Sequence, residues 1–268
     1  MKIALIQFDI IPGDIKFNEV TVEKLIDLCA AQNVDAVALP ELWNCGYDLE
    51  NLADHAQTIS GSSVKLMSKL AKKHGIYIFG GSIAEKKGSE YYNTMFVFND
   101  RGEIISKYRK IHLFPLVLEE QKYFTAGDEW GFVETPWGKF GLMICYDLRF
   151  TEQARNLALR GAKAIIVPAQ WPKPRVEHWH ALSISRAIES QLFVFSINRT
   201  GKDQSGKYVG CSMAVDPLGN VLAGGLEAKD AGIIIAECDF DQIDEIRQRI
   251  PVYNDRVNIL DEIDNSLL

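Results

Sequence analysis

A chain of 268 residues with 47% hydrophobic side chains is long enough to bury a full core, about three quarters of its unfolded surface at this size. Its net charge of −7 argues against nucleic acid as the main partner, because phosphate neutralisation needs a clustered basic face. No segment approaches the ~20 uninterrupted apolar residues of a membrane span, and five scattered cysteines without a CxxC pair fit a reducing, cytoplasmic setting better than a disulfide framework.

The first apolar run, residues 3–8, is interrupted by Gln7 and Asp9 and lacks a small-residue cleavage site, so it reads as a core strand and not a signal peptide. Residues 18–32 carry Val20, Val22, Leu25, Leu28 and Cys29 at helical spacing. VDAVALP (34–40) is a continuous apolar strand. Residues 62–74 form a second helix, with Val64, Met67, Leu70 and Ala71 on one face and Gly75 as a stop. Strands follow over 76–84, 94–100 and 103–108, the last two joined by the turn Asn99-Asp100-Arg101-Gly102. The second half repeats the theme. A hairpin turns at Pro136-Trp137-Gly138 between residues 130–135 and 139–145. A helix spans 151–160, a buried strand 163–169, a helix 176–190 and a strand 191–198. A second hairpin over 211–223 turns at Pro217-Leu218-Gly219-Asn220. Residues 232–240 close the sheet, and a helix covers 242–249. Strands buried on both faces and alternating with helices imply an α/β fold with covered sheets. There is no repeat, low-complexity tract or linker, so one domain over 1–268 is expected.

Three apolar segments end in a reactive side chain: VDAVALP at Glu41, ISKYRK at Lys110 and KFGLMI at Cys145. Strand ends in α/β sheets are where ligands bind. Taken singly, each residue has an ordinary reading. The cysteine is a small buried hydrophobe, the lysine a solvated charge and the glutamate an acid at a helix N-terminus. Their joint occurrence in this order and context outweighs those readings.

ALPELWNCGY around Glu41, YRKIHLF around Lys110 and GLMICYDLRFTEQAR around Cys145 together resemble the nitrilase superfamily of carbon–nitrogen hydrolases, and the resemblance runs from KIALIQ to IRQRIPVYNDR. It implies a four-layer α-β-β-α sandwich, no cofactor and a Glu41–Lys110–Cys145 triad. It also implies a second glutamate before the cysteine strand. In LEEQKYFTAGD, alignment on Ala126-Gly127-Asp128 favours Glu120 over Glu119, with the role of orienting Lys110 and the substrate amide. The chemistry suits these residue types. An amide carbon is a poor electrophile, so it needs a thiolate, which a nearby cation favours by lowering the thiol pKa. Lys110 supplies that cation and, with the Tyr146 backbone N–H, an oxyanion site. Glu41 is the general base that takes the thiol proton, passes it to departing ammonia and then activates water against the thioester.

PAQWPKPRVEHWHALSISRAIESQLFVFSINRTGKD (168–203) is similar to the omega-amidase branch, which includes 2-oxoglutaramate amidases. It departs at Gln170, where asparagine is expected, and at Cys211, where an acidic or small polar residue is expected. The expected substrate is a short 2-oxo dicarboxylic monoamide, 2-oxoglutaramate or 2-oxosuccinamate. Arg175 either binds its carboxylate bidentately or is a surface or interface charge. Tyr47, Tyr146 and Trp171 are either pocket walls or ordinary core. Alternatives are an amidase for N-carbamoyl compounds or deaminated glutathione, a nitrilase and, remotely, a non-catalytic scaffold. Glu177-His178-Trp179-His180 lacks HExxH spacing, and residues two apart do not share a helix face, so no metal is expected. No GxSxG, GxGxxG or P-loop occurs. Cys29 and Cys238 are expected to be packing residues. The resemblance also implies a homodimer formed through helices and the C-terminal segment, to which the polar tail DEIDNSLL adds nothing.

Overall fold

The structure is a computed structural model that describes residues 1–116, 119–228 and 230–257; the tail DEIDNSLL lies outside the described residues. The first sheet contains β1 (Lys2–Gln7), β2 (Ala36–Ala38), β3 (Tyr77–Phe79), β4 (Ile83–Lys87), β5 (Glu90–Phe98), β6 (Ile104–Arg109) and β15 (Gly232–Glu237). Its order is β15-β1-β2-β3-β5-β4, with β6 also on β5. The second sheet contains β7 (Gly131–Thr135), β8 (Gly138–Leu142), β9 (Ala164–Ala169), β10 (Phe193–Asn198), β13 (Met213–Val215) and β14 (Val221–Gly224), in the order β14-β13-β10-β9-β8-β7. A separate hairpin pairs β11 (Thr200–Asp203) with β12 (Gly206–Val209). The helices are α1 (Ile15–Ala30), α2 (Leu52–His55), α3 (Ser62–His74), α4 (Thr151–Leu159), α5 (Val176–Ser190) and α6 (Gln242–Arg249).

Each sheet is built around a parallel trio, β1-β2-β3 in one and β8-β9-β10 in the other. Parallel neighbours need long crossovers. α1 and α3 supply them in the first sheet, α4 and α5 in the second. Alternation along β1 shows why its central residues Ile3 to Ile6 are all apolar. Ile3 and Leu5 point into the core shared with Phe140, Ile166 and Phe195 of the second sheet. Ala4 and Ile6 point the other way, to Val22 and Ile26 of α1 and Met67 and Leu70 of α3. Phe79 stacks on Phe140 between the sheets at 5.7 Å. Leu157 of α4 and Trp179 of α5 cover the outer face of the second sheet. The result is the expected α-β-β-α sandwich.

Four details differ from the sequence reading. α1 starts earlier, at Ile15, because Asp14 caps it by accepting the Phe17 N–H at 2.9 Å. Its buried face is Asn18, Val22, Ile26 and Cys29, while Val20 and Leu28 are exposed. The apolar run 76–84 breaks into β3 and β4 at Gly80-Gly81. Gly81 has φ +58°, and a Cβ there would lie 2.1 Å from the Pro40 carbonyl oxygen, so only glycine permits this turn beside the Glu41 loop. The run ending at Cys145 leaves the strand after Leu142, and the β11–β12 hairpin was not anticipated.

Candidate active site

Glu41, Lys110, Cys145, Gln170 and Arg199 each follow one of the core strands β2, β6, β8, β9 and β10. After β2, Leu39 still donates its N–H to Phe79, but Pro40 has no N–H to continue the ladder. The chain turns away at Leu42, with φ +42°, whose N–H bonds the Ser82 hydroxyl at 2.8 Å. Glu41 is thereby sealed from solvent between the sheets. Its Oε1 accepts from Lys110 Nζ at 2.8 Å and from Asn93 Nδ2 at 2.9 Å. Its Oε2 accepts from the Gln170 backbone N–H at 2.9 Å.

Lys110 Nζ also donates to Glu120 Oε1 at 2.9 Å, so one buried ammonium bridges two buried carboxylates. Burial alone would push the lysine pKa down. Glu120 and Glu41 outweigh it and hold the ammonium above the ordinary lysine range. Glu120 Oε1 accepts from the Tyr47 hydroxyl at 2.9 Å and its Oε2 from the Phe114 N–H at 2.9 Å. Its carboxyl is pushed up by burial, an effect that Lys110 opposes and Glu41 reinforces. Glu119 is exposed and pairs with Lys122.

Cys145 opens a 3-10 turn over Cys145–Arg149 and holds φ +48°, a left-handed conformation that costs a non-glycine residue about 1–3 kcal/mol. Asp147 enforces it. Its fully buried carboxylate accepts from the Ile144 N–H at 2.8 Å and the Tyr108 hydroxyl at 2.6 Å. It also meets the His112 N–H at 3.0 Å and His112 Nδ1 at 2.8 Å. The thiol faces the Glu41 carboxylate, and its pKa lies well above that of a free cysteine. Burial is the main cause and the charge of Glu41 the next, with Lys110 pulling the other way. This corrects the expectation of a lysine-lowered thiol: two carboxylates and burial outweigh one ammonium. The proton therefore stays on sulfur until a base removes it.

Above the thiol lies a pocket whose walls include Tyr47, Phe114, Tyr146, Trp171 and Tyr208. All four residues anticipated for substrate contact, Tyr47, Tyr146, Trp171 and Arg175, line it. Phe114 and Tyr146 pack edge to face at 5.1 Å. Trp171 is fixed by its N–H bond to Asn198 Oδ1 and by its indole N–H bond to the Arg175 carbonyl, both 2.7 Å. Two guanidiniums stand over aromatic walls, Arg149 over Trp171 at 4.7 Å and Arg175 over Phe114 at 5.4 Å. Burial, then the charge of Arg175, lowers the Arg149 pKa. Neither guanidinium forms an ion pair among the described residues; Arg149 reaches only His178 Nδ1 at 3.4 Å. Among the described residues no three His, Cys, Asp or Glu side chains gather as a metal site would require. Cys29, Cys45, Cys211 and Cys238 are free and buried, with Cys29 and Cys238 packed in the apolar clusters.

Sequence reading assigned no site role to Asn93, Asp147, Arg149 or Arg199, and marked Gln170 only as a departure from the omega-amidase pattern. Only Arg149 and Asp147 carried a local signal, their place within four residues of Cys145.

The family model described as carbon-nitrogen hydrolase matches residues 2–248. A 2-oxoglutaramate amidase of Bacillus subtilis is 42% identical over 94% of this chain and 96% of its own. The human omega-amidase NIT2 is 36% identical over 95% of this chain and 94% of its own. Among solved structures, Saccharomyces cerevisiae Nit3 superposes with a TM-score of 0.86 at 33% identity, covering 94% of both chains.

Proposed function

The chain belongs to the carbon–nitrogen hydrolase family, and from that premise we propose that it hydrolyses the terminal amide of a short 2-oxo dicarboxylic monoamide, such as 2-oxoglutaramate or 2-oxosuccinamate. The relatives named 2-oxoglutaramate amidase and omega-amidase support this substrate class. The observation that carries it is a thiol beside a carboxylate–ammonium–carboxylate cluster, under two guanidiniums that lack carboxylate partners among the described residues. The cluster suits amide chemistry. The guanidiniums suit a carboxylate at the far end of the substrate.

The steps follow from the positions. The Cys145 sulfur attacks the amide carbon while Glu41 takes the thiol proton, so no free thiolate has to persist against the burial that disfavours it. Charge developing on the carbonyl oxygen is met by the Lys110 ammonium and the Tyr146 N–H. The C–N bond breaks as Glu41 returns the proton to nitrogen, and ammonia leaves a thioester on Cys145. Glu41 then removes a proton from water, hydroxide adds to the thioester carbon, and the C–S bond breaks. The acid departs and Cys145 is protonated again. Glu120 holds Lys110 in place throughout, and Tyr47 holds Glu120. Arg149 and Arg175 bind the substrate carboxylate, with Trp171 and Tyr146 as walls.

Ammonia release by the purified protein tests the reading, with 2-oxoglutaramate compared against glutamine, an N-carbamoyl amine and a simple nitrile, and Cys145→Ala as control. Turnover of the oxo-amide alone, lost in the variant, is expected. Turnover of another compound in its place would discard the pocket assignment and keep the nucleophile. We also propose a homodimer, supported by the exposed apolar Leu159 on α4 and Ile188 on α5; a monomer in sedimentation equilibrium would remove it. Among the described residues no helix is long and apolar enough to cross a membrane.

A further inference from the structure

Gln170 touches Glu41 twice. Its backbone N–H donates to Glu41 Oε2, and its side-chain Nε2 donates to the Glu41 backbone carbonyl, both at 2.9 Å. One residue at the end of β9 in the second sheet thus clasps both the carboxylate and the backbone of a residue beyond β2 in the first, 129 positions away in the chain. The remaining oxygen of the same amide, Oε1, accepts from Arg199 Nη1 at 3.0 Å. This fixes which way the amide faces. Turning it over would set NH2 against a guanidinium and oxygen against a carbonyl, losing both bonds.

Arg199 is itself sealed from solvent and held on every donor. Its Nη2 bonds Asp9 Oδ1 at 2.8 Å and the Ile10 carbonyl at 2.7 Å, its Nε bonds the Thr200 carbonyl at 3.0 Å, and its Nη1 also pairs with Asp203. Asp9 and Ile10 follow β1 of the first sheet, so the guanidinium is anchored to both sheets at the end of the sandwich that bears the site. Its plane lies over the ring of the pocket residue Tyr208 at 4.5 Å. The chain Arg199–Gln170–Glu41 therefore runs from a rigid anchor to the carboxylate that faces the thiol.

We propose that Gln170 and Arg199 are positioning residues that aim the Glu41 carboxylate at Cys145. The proposal rests on the reading of Glu41 as proton acceptor. It gives a physical reason for glutamine at a position where asparagine was expected: an asparagine amide, one methylene shorter, cannot reach the Glu41 carbonyl and Arg199 together. It also gives a reason for arginine at 199. A lysine ammonium lacks the planar fork that serves Gln170, Asp9 and two carbonyls at once.

Two readouts on the intact protein test it: kcat and KM for 2-oxoglutaramate, and the rate at which iodoacetamide alkylates Cys145, followed by peptide mass against pH. In the alkylation the S–C bond forms, the C–I bond breaks, iodide leaves and Glu41 takes the thiol proton, so the rate reads the aim of the base without any substrate. Gln170→Leu and Gln170→Asn are expected to lower kcat about tenfold, the effect of one lost hydrogen bond to the Glu41 backbone carbonyl, with KM moving less than kcat. Cys145 alkylation falls in parallel. Arg199→Lys gives the same loss, and the double variant Q170L/R199K loses no more than the worse single one, because both act through one clasp. Should Arg199→Lys fail to fold, the Gln170 variants decide, since they leave the anchor intact. Unchanged kcat and alkylation in folded Gln170→Leu would overturn the proposal, as would a loss confined to KM. If Glu41→Gln alkylates at the wild-type rate, the reading of Glu41 fails first. That result is distinct from a failure of the clasp, in which Glu41→Gln is slow and the Gln170 variants are not.

Discussion

The floor and the mouth of the site are built on opposite principles. On the floor, Glu41, Glu120 and Lys110 are closed to solvent and every carboxylate oxygen is matched to a donor. In the mouth, Arg149 and Arg175 are half exposed, and neither finds a carboxylate among the described residues. A buried charge left unpaired is costly, so the floor has to be complete before substrate arrives. The half-exposed guanidiniums keep part of their hydration and leave their remaining bonds to a ligand. Under the proposed function, the contrast separates the chemistry, which is preorganised, from recognition, which the substrate completes.

Perturbing the floor gives the largest effects. Cys145→Ala should abolish ammonia release altogether, with the fold retained by circular dichroism; residual Cys145-independent turnover would contradict the assignment. Lys110→Met leaves two buried carboxylates facing each other without their cation. It should abolish turnover and cost about 3–5 kcal/mol in denaturant unfolding, the usual penalty for breaking a buried pair. A stable Lys110→Met protein would mean that one of the carboxyls is already protonated. Asp147→Asn places an NH2 where an acceptor is required by Ile144, Tyr108 or His112. With the elbow at Cys145 loosened, kcat should fall at least tenfold, with a loss of about 1–3 kcal/mol in stability for the unsatisfied donor.

Perturbing the mouth gives a different signature. Arg149→Ala and Arg175→Ala should each raise KM for 2-oxoglutaramate about tenfold, the contribution of a charge-assisted bond to the carboxylate, while kcat changes little. An uncharged amide should show no such change. If KM for the acidic substrate stays constant in both variants, the guanidiniums are not the carboxylate site.

A last test concerns stability against pH. Burial raises the thiols of Cys29, Cys45 and Cys238 to about 12 and that of Cys211 to about 11, from a reference of 9.0. Folded-state values above the unfolded one mean that the folded protein retains protons which the unfolded chain releases. The stability contribution is therefore complete below pH 9 and declines as pH rises toward 11–12. Lys110, also raised, acts in the same sense. The urea midpoint should drop from about pH 8.5 to about pH 10.5, the range in which an exposed thiol ionises; a flat or rising midpoint would contradict the burial of these thiols.

What was legible in the sequence follows the range of the interactions. The covered sheets of the α/β fold were readable because the central residues of strands such as β1 and β9, buried on both faces, are apolar. Glu41 and Cys145 stood out because each follows an apolar run within a distinctive local motif, whereas Lys110 follows the largely exposed β6 and was legible from its motif alone. The geometry around them was hidden because it is assembled across the fold. Glu41 and Gln170 meet only when the two sheets stack, and Arg199 reaches Asp9 from 190 residues away. The break at Gly80-Gly81 was missed because glycines inside an apolar run look like strand, and only the approach of Pro40 makes the positive φ necessary. The raised Cys145 thiol escaped notice for a related reason. Sequence presents one lysine beside one cysteine, whereas the fold surrounds the thiol with two carboxylates and excludes water.

The most direct test of the central claim, a Cys145 acyl intermediate, is partitioning with hydroxylamine during turnover of 2-oxoglutaramate. The account predicts that the corresponding hydroxamate accumulates with rising hydroxylamine at the expense of the free acid, and that Cys145→Ala forms none. Ammonia release without hydroxamate at any hydroxylamine concentration, or hydroxamate formation by Cys145→Ala, would contradict it.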